Sequence, residues 1–339
     1  TSIYELTMKV LALLGYLVIL FMLFKALLNQ EISAGAFAAV FTSIGQLFSI
    51  MEEVVCRHMG SIAQNLGTVQ NYINFLDIPD REGEDIDLNK DCDIRVDGVS
   101  FSYPGGETPA LEGVSFTIRR GETTAIVGEN GSGKSTLVRL ITGLYLPDKG
   151  RVYHGDVDTA KVSTKKLYKN ISGVFQKYQR YQLTLGENIG ISDTDLEPHG
   201  EYLDMVSAMA NLDPKNKSFT QGYETILSRE FGGVDISGGQ WQRVAIARGF
   251  FRPHSLIVLD EPTAAIDPLE EKRIYEGFAK IASDKTAIIV THRLGSVRLA
   301  DRIIVMDKGK VVDIGSHGEL VSRSGKYKDM WQAQAKYYI

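Results

Sequence analysis

The fold is decided by one stretch of sequence, Gly128-Glu129-Asn130-Gly131-Ser132-Gly133-Lys134-Ser135-Thr136. It follows a short β-rich run, Thr123 to Val127, and fits the pattern G-x-x-x-x-G-K-[ST] between a strand and a helix. In that context the glycines let backbone N–H groups wrap phosphates, and the following helix points its positive end at them. Lys134 adds a positive charge beside the β- and γ-phosphates, and Ser135 offers its hydroxyl to Mg²⁺. We therefore predict that ATP binds a P-loop made of Gly128, Asn130, Gly131, Ser132, Gly133, Lys134, Ser135 and Thr136.

A second apolar run predicts the acidic half of the same site. Leu256 to Leu259 is continuously apolar, as a buried parallel strand should be, and it ends in Asp260-Glu261. A carboxylate at the C-terminal end of such a strand lies where α/β sheets bind ligands. We expect Asp260 to hold Mg²⁺ and Glu261 to polarise the attacking water as a general base. The alternative interpretation is a strand followed by a solvated acidic turn.

A glycine-rich segment lies between these two motifs. Ser237-Gly238-Gly239-Gln240 precedes a helical run from Trp241 to Arg248, so it predicts a second helix N-terminus, capped by Ser237 and open to phosphate. A domain whose phosphates already sit on one P-loop has little need of another anion site. The segment resembles the signature motif of the ABC transporter superfamily, and the chain is identified by it as an exporter-type member with fused transmembrane and ATP-binding domains.

The resemblance implies several further site residues. Tyr103 matches the aromatic residue that stacks on adenine, Gln176 the glutamine that touches Mg²⁺, and His292 the histidine that contacts the γ-phosphate. Asp267 matches the aspartate of a loop that crosses the dimer interface, and it also fits a helix N-cap before Pro268. The implied catalytic residues are Glu261, His292 and Lys134, and the implied Mg²⁺ contacts are Ser135, Gln176 and Asp260.

The resemblance also implies a working dimer that binds ATP and Mg²⁺. In the family, two ATP-binding domains pair head to tail, so the segment Ser237, Gly238, Gly239 and Gln240 would contact ATP held by a second half-transporter, in a homodimer or a heterodimer. The match is uneven, since Ala264 to Asp267 lacks the hydroxyl of the common Ser-Ala-Leu-Asp form. Val174 to Asn188 and Phe231 to Asp235 are similar to exporters of ribosomally made peptides such as lantibiotics, which favours a peptide as the transported substrate.

Two apolar runs near the start predict membrane-spanning helices at about residues 8–28 and 32–51. Val10 to Leu28 carries one charge, Lys25, and as a helix it would extend roughly 28 Å, the thickness of a bilayer core. The link Asn29-Gln30-Glu31 has no Lys or Arg, so both far ends should face the cytoplasm. The prediction is a multi-pass protein of the cell membrane with a cytoplasmic ATP-binding domain. The alternative is a pair of buried helices in a large soluble core.

A heptad stripe follows the second run and predicts a cytoplasmic stalk that ends near Asp77. The stripe consists of Val55, Met59, Ile62, Leu66, Val69, Ile73 and Leu76. Residues 81–93 are charged and poor in large apolar side chains, which indicates a linker. The predicted domains are therefore 1–80, the C-terminal part of a transmembrane domain, and 94–339, the ATP-binding domain. We interpret the chain as the C-terminal portion of a longer protein whose upstream membrane helices are missing here.

Composition adds two limits. The net charge of −5 over 339 residues gives no indication of a nucleic-acid partner, which would require a basic face. Two cysteines, Cys56 and Cys92, cannot build a disulfide framework and favour a reducing compartment.

The predicted fold class is α/β, a P-loop NTPase of ABC type with a parallel β core, an antiparallel β subdomain and a helical subdomain at about Tyr178 to Arg248. Two transmembrane helices and a helical stalk would precede it. Ile303 to Val312 predicts a β-hairpin with its turn at Asp307-Lys308-Gly309. The predicted function is ATP-driven export by alternating access, with the lipid bilayer and a transported substrate as further partners. Two alternatives stay open: a non-transporting ABC ATPase, and an ATP-gated channel or membrane regulator.

Overall fold

The computed structural model describes residues 2–53, 59–78, 81, 83–89, 91–198, 200–262, 268–283, 285–292 and 297–335. The chain divides into two compact units, Thr1–Asp80 and Arg81–Ile339.

The described part of the first unit contains three helices, α1 (Ser2–Leu28), α2 (Ala34–Glu52) and α3 (Met59–Leu76). The Ser33 hydroxyl accepts a hydrogen bond from the backbone N–H of Ala36 at 3.1 Å and so caps α2. Aromatic side chains join α1 to α2, because the ring of Tyr16 meets that of Phe48 edge-on with 5.2 Å between centroids.

Helices therefore occupy both predicted apolar stretches. Within the parts of the chain that the structure describes, no helix has both the length and the apolar character that crossing a membrane requires. The prediction of two membrane-spanning helices, at about 8–28 and 32–51, is thus not confirmed.

The predicted stalk corresponds to α3. The side chains of Leu66, Val69, Ile73 and Leu76 from the heptad stripe are all exposed along it. Whether α2 continues into α3 as one helix depends on residues 54–58, which lie outside the described residues.

The second unit contains two sheets and most of the helices. Its described strands are β1 (Ile94–Phe101), β2 (Leu111–Ile118), β3 (Thr123–Gly128), β4 (Lys149–His154), β5 (Val157–Asp158), β6 (Ile171–Val174), β7 (Leu256–Asp260), β8 (Thr286–Val290), β9 (Arg302–Asp307) and β10 (Lys310–Gly315). Its described α-helices are α4 (Lys134–Ile141), α5 (Thr164–Tyr168), α6 (Leu185–Gly190), α7 (Gly200–Met209), α8 (Gly238–Phe251), α9 (Pro268–Ala282), α10 (His317–Ser322) and α11 (Lys326–Ala335).

The larger sheet has the order β10-β9-β3-β8-β7-β6. Every pairing in it is parallel except that of β9 with β10. The inner strands are buried on both faces, which explains why β7 and β8 are continuous apolar runs rather than alternating ones. Val290 in β8 pairs with Ile126 in β3 and with Asp260 in β7, so three strands end at one edge.

The antiparallel exception is the predicted hairpin. Lys308 and Gly309 connect β9 to β10 with φ angles of +45° and +77°, as a two-residue turn between twisted strands requires. The predicted hairpin is therefore confirmed, with both strands longer than the sequence indicated.

The smaller sheet is antiparallel where its register is defined, in the order β2-β1-β4-β5. A separate apolar core, which includes Trp241, Phe250 and Phe251, joins α6, α7 and α8. These elements are the parallel core, antiparallel β subdomain and helical subdomain that the sequence predicted.

The predicted linker is attached to the second unit. Arg81 donates hydrogen bonds to backbone carbonyls of this unit, including that of Gly143 at 2.5 Å. Farther along, Ser163 Oγ bonds Asp85 Oδ1 at 2.6 Å, and Lys166 Nζ bonds Asp87 Oδ1 at 2.6 Å. The described linker residues are thus fastened along the domain surface, which their charges alone did not reveal.

His254 gives this unit a predicted sensitivity to acid. Burial lowers the pKa of His254 to about 4 from its ordinary 6.5, although a hydrogen bond to the Arg252 carbonyl opposes the shift. As the pH falls, the unfolded chain binds a proton at His254 before the folded chain does. The contribution of His254 to the free energy of unfolding is therefore complete above pH 6.5 and is lost as the pH falls toward 4. The loss is up to about 3 kcal/mol.

We expect His254→Gln to flatten the decline in unfolding free energy over this pH range while changing little at pH 7.5. The measurement is the free energy of unfolding in urea, taken at intervals of half a pH unit for both proteins. An unchanged slope in the variant would show that other groups cause the acid sensitivity.

Candidate functional site

The loop between β3 and α4 can adopt its path only with glycine at two positions. Gly133 caps α4 with φ of +100°, and a Cβ added there would lie 2.8 Å from the Ala110 carbonyl oxygen. A Cβ at Gly128 would overlap the Met306 carbonyl oxygen. The loop backbone therefore packs directly against neighbouring backbone, and its N–H groups can line a phosphate site.

Lys134 places a buried positive charge in this loop. Its side chain is 6% exposed, and Nζ donates to the carbonyls of Gly128 at 3.0 Å and Glu129 at 2.9 Å. Burial lowers the pKa of Lys134, while the carboxylates of Glu261 and Asp260 oppose that shift. The ammonium is thus held in place before any anion arrives.

Asp260 and Ser135 form the polar floor beside Lys134. Asp260 is 3% exposed and accepts a hydrogen bond from Ser135 Oγ at 3.2 Å. Burial raises the pKa of Asp260, and the bond from Ser135 opposes the shift. A carboxylate and a hydroxyl are oxygen ligands of the kind Mg²⁺ takes, so these residues fit that ion. No group of three or more His, Cys, Asp or Glu side chains that could hold a metal occurs among the described residues. Phosphate oxygens and water are the other ligands that Mg²⁺ takes beside one or two carboxylates.

The carboxylate of Glu261 contacts two other residues that were predicted from the sequence, Gln176 and His292. Its Oε1 lies 2.9 Å from His292 Nδ1, and its Oε2 accepts a hydrogen bond from Gln176 Nε2 at 3.2 Å. The Glu261 backbone has φ of +50°, unusual for a residue with a side chain, and its N–H donates to the Val290 carbonyl at 3.0 Å. The carboxylate is thereby turned out of the sheet toward the loop.

These residues surround one open cleft with a volume of about 590 Å³. Its lining residues are Tyr103, Ala110, Asn130, Gly131, Gly133, Lys134, Ser135, Thr136, Gln176, Glu261 and His292. The structure therefore gathers candidates from five separate segments of sequence into one site.

Tyr103 is held by two residues at the rim of this cleft. Its hydroxyl lies 3.0 Å from Thr136 Oγ1 and accepts a hydrogen bond from Arg139 Nη1 at 3.0 Å. Arg139 and Ala110 were not predicted from the sequence. Arg139 was detectable, since it follows Thr136 by three residues and so shares its helix face. Nothing in the sequence pattern marks Ala110.

The glycine-rich signature segment lies elsewhere. Ser237 caps α8 as expected, because its hydroxyl accepts from the Gln240 N–H at 3.2 Å while Gln240 Oε1 accepts from the Ser237 N–H at 3.0 Å. Of the described residues that line the cleft, none comes from Ser237 to Gln240. Asp267 lies outside the described residues, so its predicted position stays a prediction.

Comparison with known proteins agrees with this geometry. The family model described as ABC transporter matches residues 111–264. The chain is 36% identical over 242 residues to the nisin transport ATP-binding protein NisT of Lactococcus lactis subsp. lactis, covering 71% of this chain and 40% of NisT. It is 32% identical over 304 residues to the subtilin transport ATP-binding protein SpaT of Bacillus subtilis, covering 86% of this chain and 50% of SpaT.

More distant relatives carry a different name. The ATP-dependent lipid A-core flippase of Haemophilus ducreyi (strain 35000HP / ATCC 700724) is 31% identical, covering 92% of this chain and 53% of the flippase. A solved structure described as a bacterial Atm1-family ABC exporter with ATP bound matches with a TM-score of 0.72 at 27% identity, covering 98% of this chain and 58% of that one. The chain thus spans about half the length of the relatives it matches.

The backbone contact at Gly133 gives a direct test of the cleft. We expect Gly133→Ala to weaken ATP binding at least tenfold, a loss of about 1.4 kcal/mol, because the methyl group displaces the loop from the Ala110 carbonyl. The control is Gly318→Ala, since a Cβ at Gly318 has no neighbour within 4 Å. Calorimetric titration with ATP measures both variants. Equal affinity in the two would place the nucleotide away from this loop.

Proposed function

We propose, on the premise that this chain carries an ABC transporter domain, that it binds ATP in the cleft above and hydrolyses it. One observation carries the proposal. A carboxylate that can act as a base, Glu261, lies at the mouth of a glycine-lined cleft that already holds the Lys134 ammonium. A nucleotide-binding site that only sensed ATP would have no use for a base held there.

Binding follows from the loop. The triphosphate would lie on the backbone N–H groups of Gly131, Gly133 and Lys134 at the N-terminus of α4, where the helix dipole and the Lys134 charge both favour anions. Tyr103 stands at the rim, where its ring would take the adenine. When bound beside Asp260 and Ser135, with Gln176 nearby, Mg²⁺ would neutralise charge on the phosphate oxygens.

Hydrolysis would follow from Glu261. As general base it takes a proton from the attacking water, while Lys134 and His292 stabilise the charge on the terminal phosphate. In the structure, Gln176 and His292 both contact the Glu261 carboxylate. Water and the terminal phosphate would replace these contacts.

The signature segment, Ser237 to Gln240, does not line the cleft, and this position supports a dimer. The first N–H groups of α8 have no partner within their own helix, and Gly238 and Gly239 leave room for a phosphate there. Because the segment does not line its own cleft, the phosphate it meets would belong to a second ATP-binding domain. Two such domains would then enclose two ATP molecules, with Asp267 at their interface.

We propose further that the full protein couples this reaction to export. The relatives NisT and SpaT are named for transport, and others are named as flippases, which favours export over a non-transporting ATPase or an ATP-gated regulator. The relative with 36% identity is named for nisin transport, and on that ground we propose a peptide substrate.

The domain assignment is part of the same proposal. Residues 1–80 would be the end of a transmembrane domain with helices at about 8–28 and 32–51, residues 81–93 a linker, and residues 94–339 the ATP-binding domain. In the first unit, α1 exposes many large apolar side chains, among them Leu11 at 63% and Phe21 at 69%. Such a surface requires a cover of lipid or of other apolar helices.

The role of Glu261 can be tested by a variant that keeps its shape. Glu261→Gln removes the base and leaves the cleft intact, so we expect unchanged ATP affinity and a fall in phosphate release of at least about 100-fold. In the full-length protein the same change should stop export. The measurements are calorimetric titration, phosphate release, and substrate uptake into inverted vesicles.

The matched control is Glu230→Gln, since Glu230 is an exposed carboxylate in a short 3₁₀ turn away from the cleft. It should leave phosphate release unchanged. Near-normal turnover in Glu261→Gln would remove Glu261 from its proposed role, while normal export without turnover would separate transport from hydrolysis.

The shared site of the dimer predicts complementation in a homodimer. Gly133→Ala inactivates the loop, and Ser237→Arg blocks the signature segment, so each variant alone should be inactive. Mixed dimers contain one site with an intact loop from one copy and an intact segment from the other. An equal mixture should recover about a quarter of wild-type phosphate release, since half of the dimers carry one of two sites. No recovery would argue against sites shared between copies of this chain.

A further inference from the structure

The C-terminal helix α11 is firmly seated on the ATP-binding unit. Tyr327 is fully buried in an apolar cluster with residues of β3 and β9, and Met330 and Trp331 pack against the same cluster. The Tyr327 hydroxyl lies 2.8 Å from His317 Nδ1, and the Trp331 ring meets the His317 ring at 4.6 Å. The helix is therefore a fixed element of the unit.

Both ends of α11 reach the walls of the nucleotide cleft. At its start, Lys326 Nζ lies 2.7 Å from the carboxylate of Glu129, the second residue of the phosphate-binding loop. In its last turn, Gln334 Nε2 donates a hydrogen bond at 2.5 Å to the backbone carbonyl of His292. These positions are eight residues apart, about 12 Å along a helix. One rigid helix thus contacts the loop that holds phosphate and the segment that carries His292.

The position of the His292 side chain depends on its contact with Glu261 and on how its backbone is held. Its side chain is 45% exposed and lies beyond the end of β8. On the side of the sheet, the backbone N–H of Thr291, the residue before His292, donates a hydrogen bond to the Ile126 carbonyl at 3.3 Å. The bond from Gln334 holds the backbone carbonyl of His292. The orientation of the backbone at His292 in turn sets where its ring points.

We propose that Gln334 is a positioning residue for ATP hydrolysis, which acts by holding the His292 backbone so that the imidazole stays at the cleft and meets the terminal phosphate when that phosphate replaces the Glu261 contact. The inference rests on the proposed ATPase function and adds a residue to it. Gln334 does not line the cleft, so its loss should alter turnover rather than nucleotide binding. A hydrogen bond of this kind changes the rate by about 3- to 10-fold when it is lost.

Two substitutions at this position separate the donor from the side-chain shape. Gln334→Glu keeps the size and replaces the donating amide with a carboxylate that repels the His292 carbonyl. Gln334→Lys keeps a donor of similar reach. The matched control is Gln332→Glu, because Gln332 is an exposed glutamine in the same turns of α11 and the new charge meets the same helix dipole.

The first measurement is steady-state ATP hydrolysis. We expect Gln334→Glu to lower kcat about 3- to 10-fold with unchanged KM for ATP, unchanged ADP affinity and an unchanged melting temperature. Gln334→Lys should restore most of kcat, and Gln332→Glu should match the wild type. A wild-type kcat in Gln334→Glu, or an equal loss in Gln332→Glu, would overturn the inference.

The second measurement does not depend on catalysis. Amide hydrogen exchange should be faster in peptides that cover residues 286–292 in Gln334→Glu, and unchanged in peptides that cover α4. If wild-type protein releases no phosphate, the proposed function fails, while this comparison still decides whether Gln334 holds His292. Equal exchange at residues 286–292 in both proteins would show that it does not.

Discussion

The pairing of β8 with β3 on one side and β7 on the other is the constraint on which the site depends. Val290 pairs with Ile126 and with Asp260, so β7 and β8 end level with each other beside β3, which runs two residues further to Gly128. The phosphate-binding loop begins two residues after Ile126, Glu261 follows Asp260 directly, and His292 lies two residues after Val290. A slip of one residue in either pairing would turn these side chains to the opposite face of the sheet.

This arrangement buries two ionisable groups of opposite charge, the Lys134 ammonium and the Asp260 carboxylate. Lys134 and Asp260 are both nearly inaccessible, and burial shifts the pKa of each toward its neutral form. Each also opposes the other's shift, because Asp260 raises the pKa of Lys134 and Lys134 lowers that of Asp260. The backbone carbonyls around Lys134 and the Ser135 hydroxyl on Asp260 complete the compensation. A site balanced in this way is ready for an added anion and cation together.

The sequence identified most of the residues that the structure gathers around the cleft, because they belong to short local motifs. The glycine loop and the Asp260-Glu261 pair are short motifs whose strand and helix context can be read from neighbouring residues, and the parallel core and hairpin follow from the same patterns. The contacts of Arg139 with Tyr103 and of Gln334 with His292 belong to no motif. The second joins residues 42 positions apart, so it depends on how α11 packs. The linker, predicted from its charges, likewise proved to be fastened by a hydrogen bond and an ion pair that only the fold brings together.

The backbone of Glu261 connects the fold to the chemistry. Its φ of +50° costs roughly 1 kcal/mol for a residue other than glycine. Glycine there would relieve the strain and lose the carboxylate, so the strain accompanies a carboxylate placed directly after a buried strand. The N–H bond to Val290 and the two side-chain contacts to the carboxylate offset it. When substrate displaces Gln176 and His292 from that carboxylate, the backbone bond alone still directs Glu261 toward the cleft. After that displacement, the position of the His292 imidazole depends on restraints from outside the cleft. The hydrogen bond from Gln334 in the C-terminal helix α11 is one such restraint.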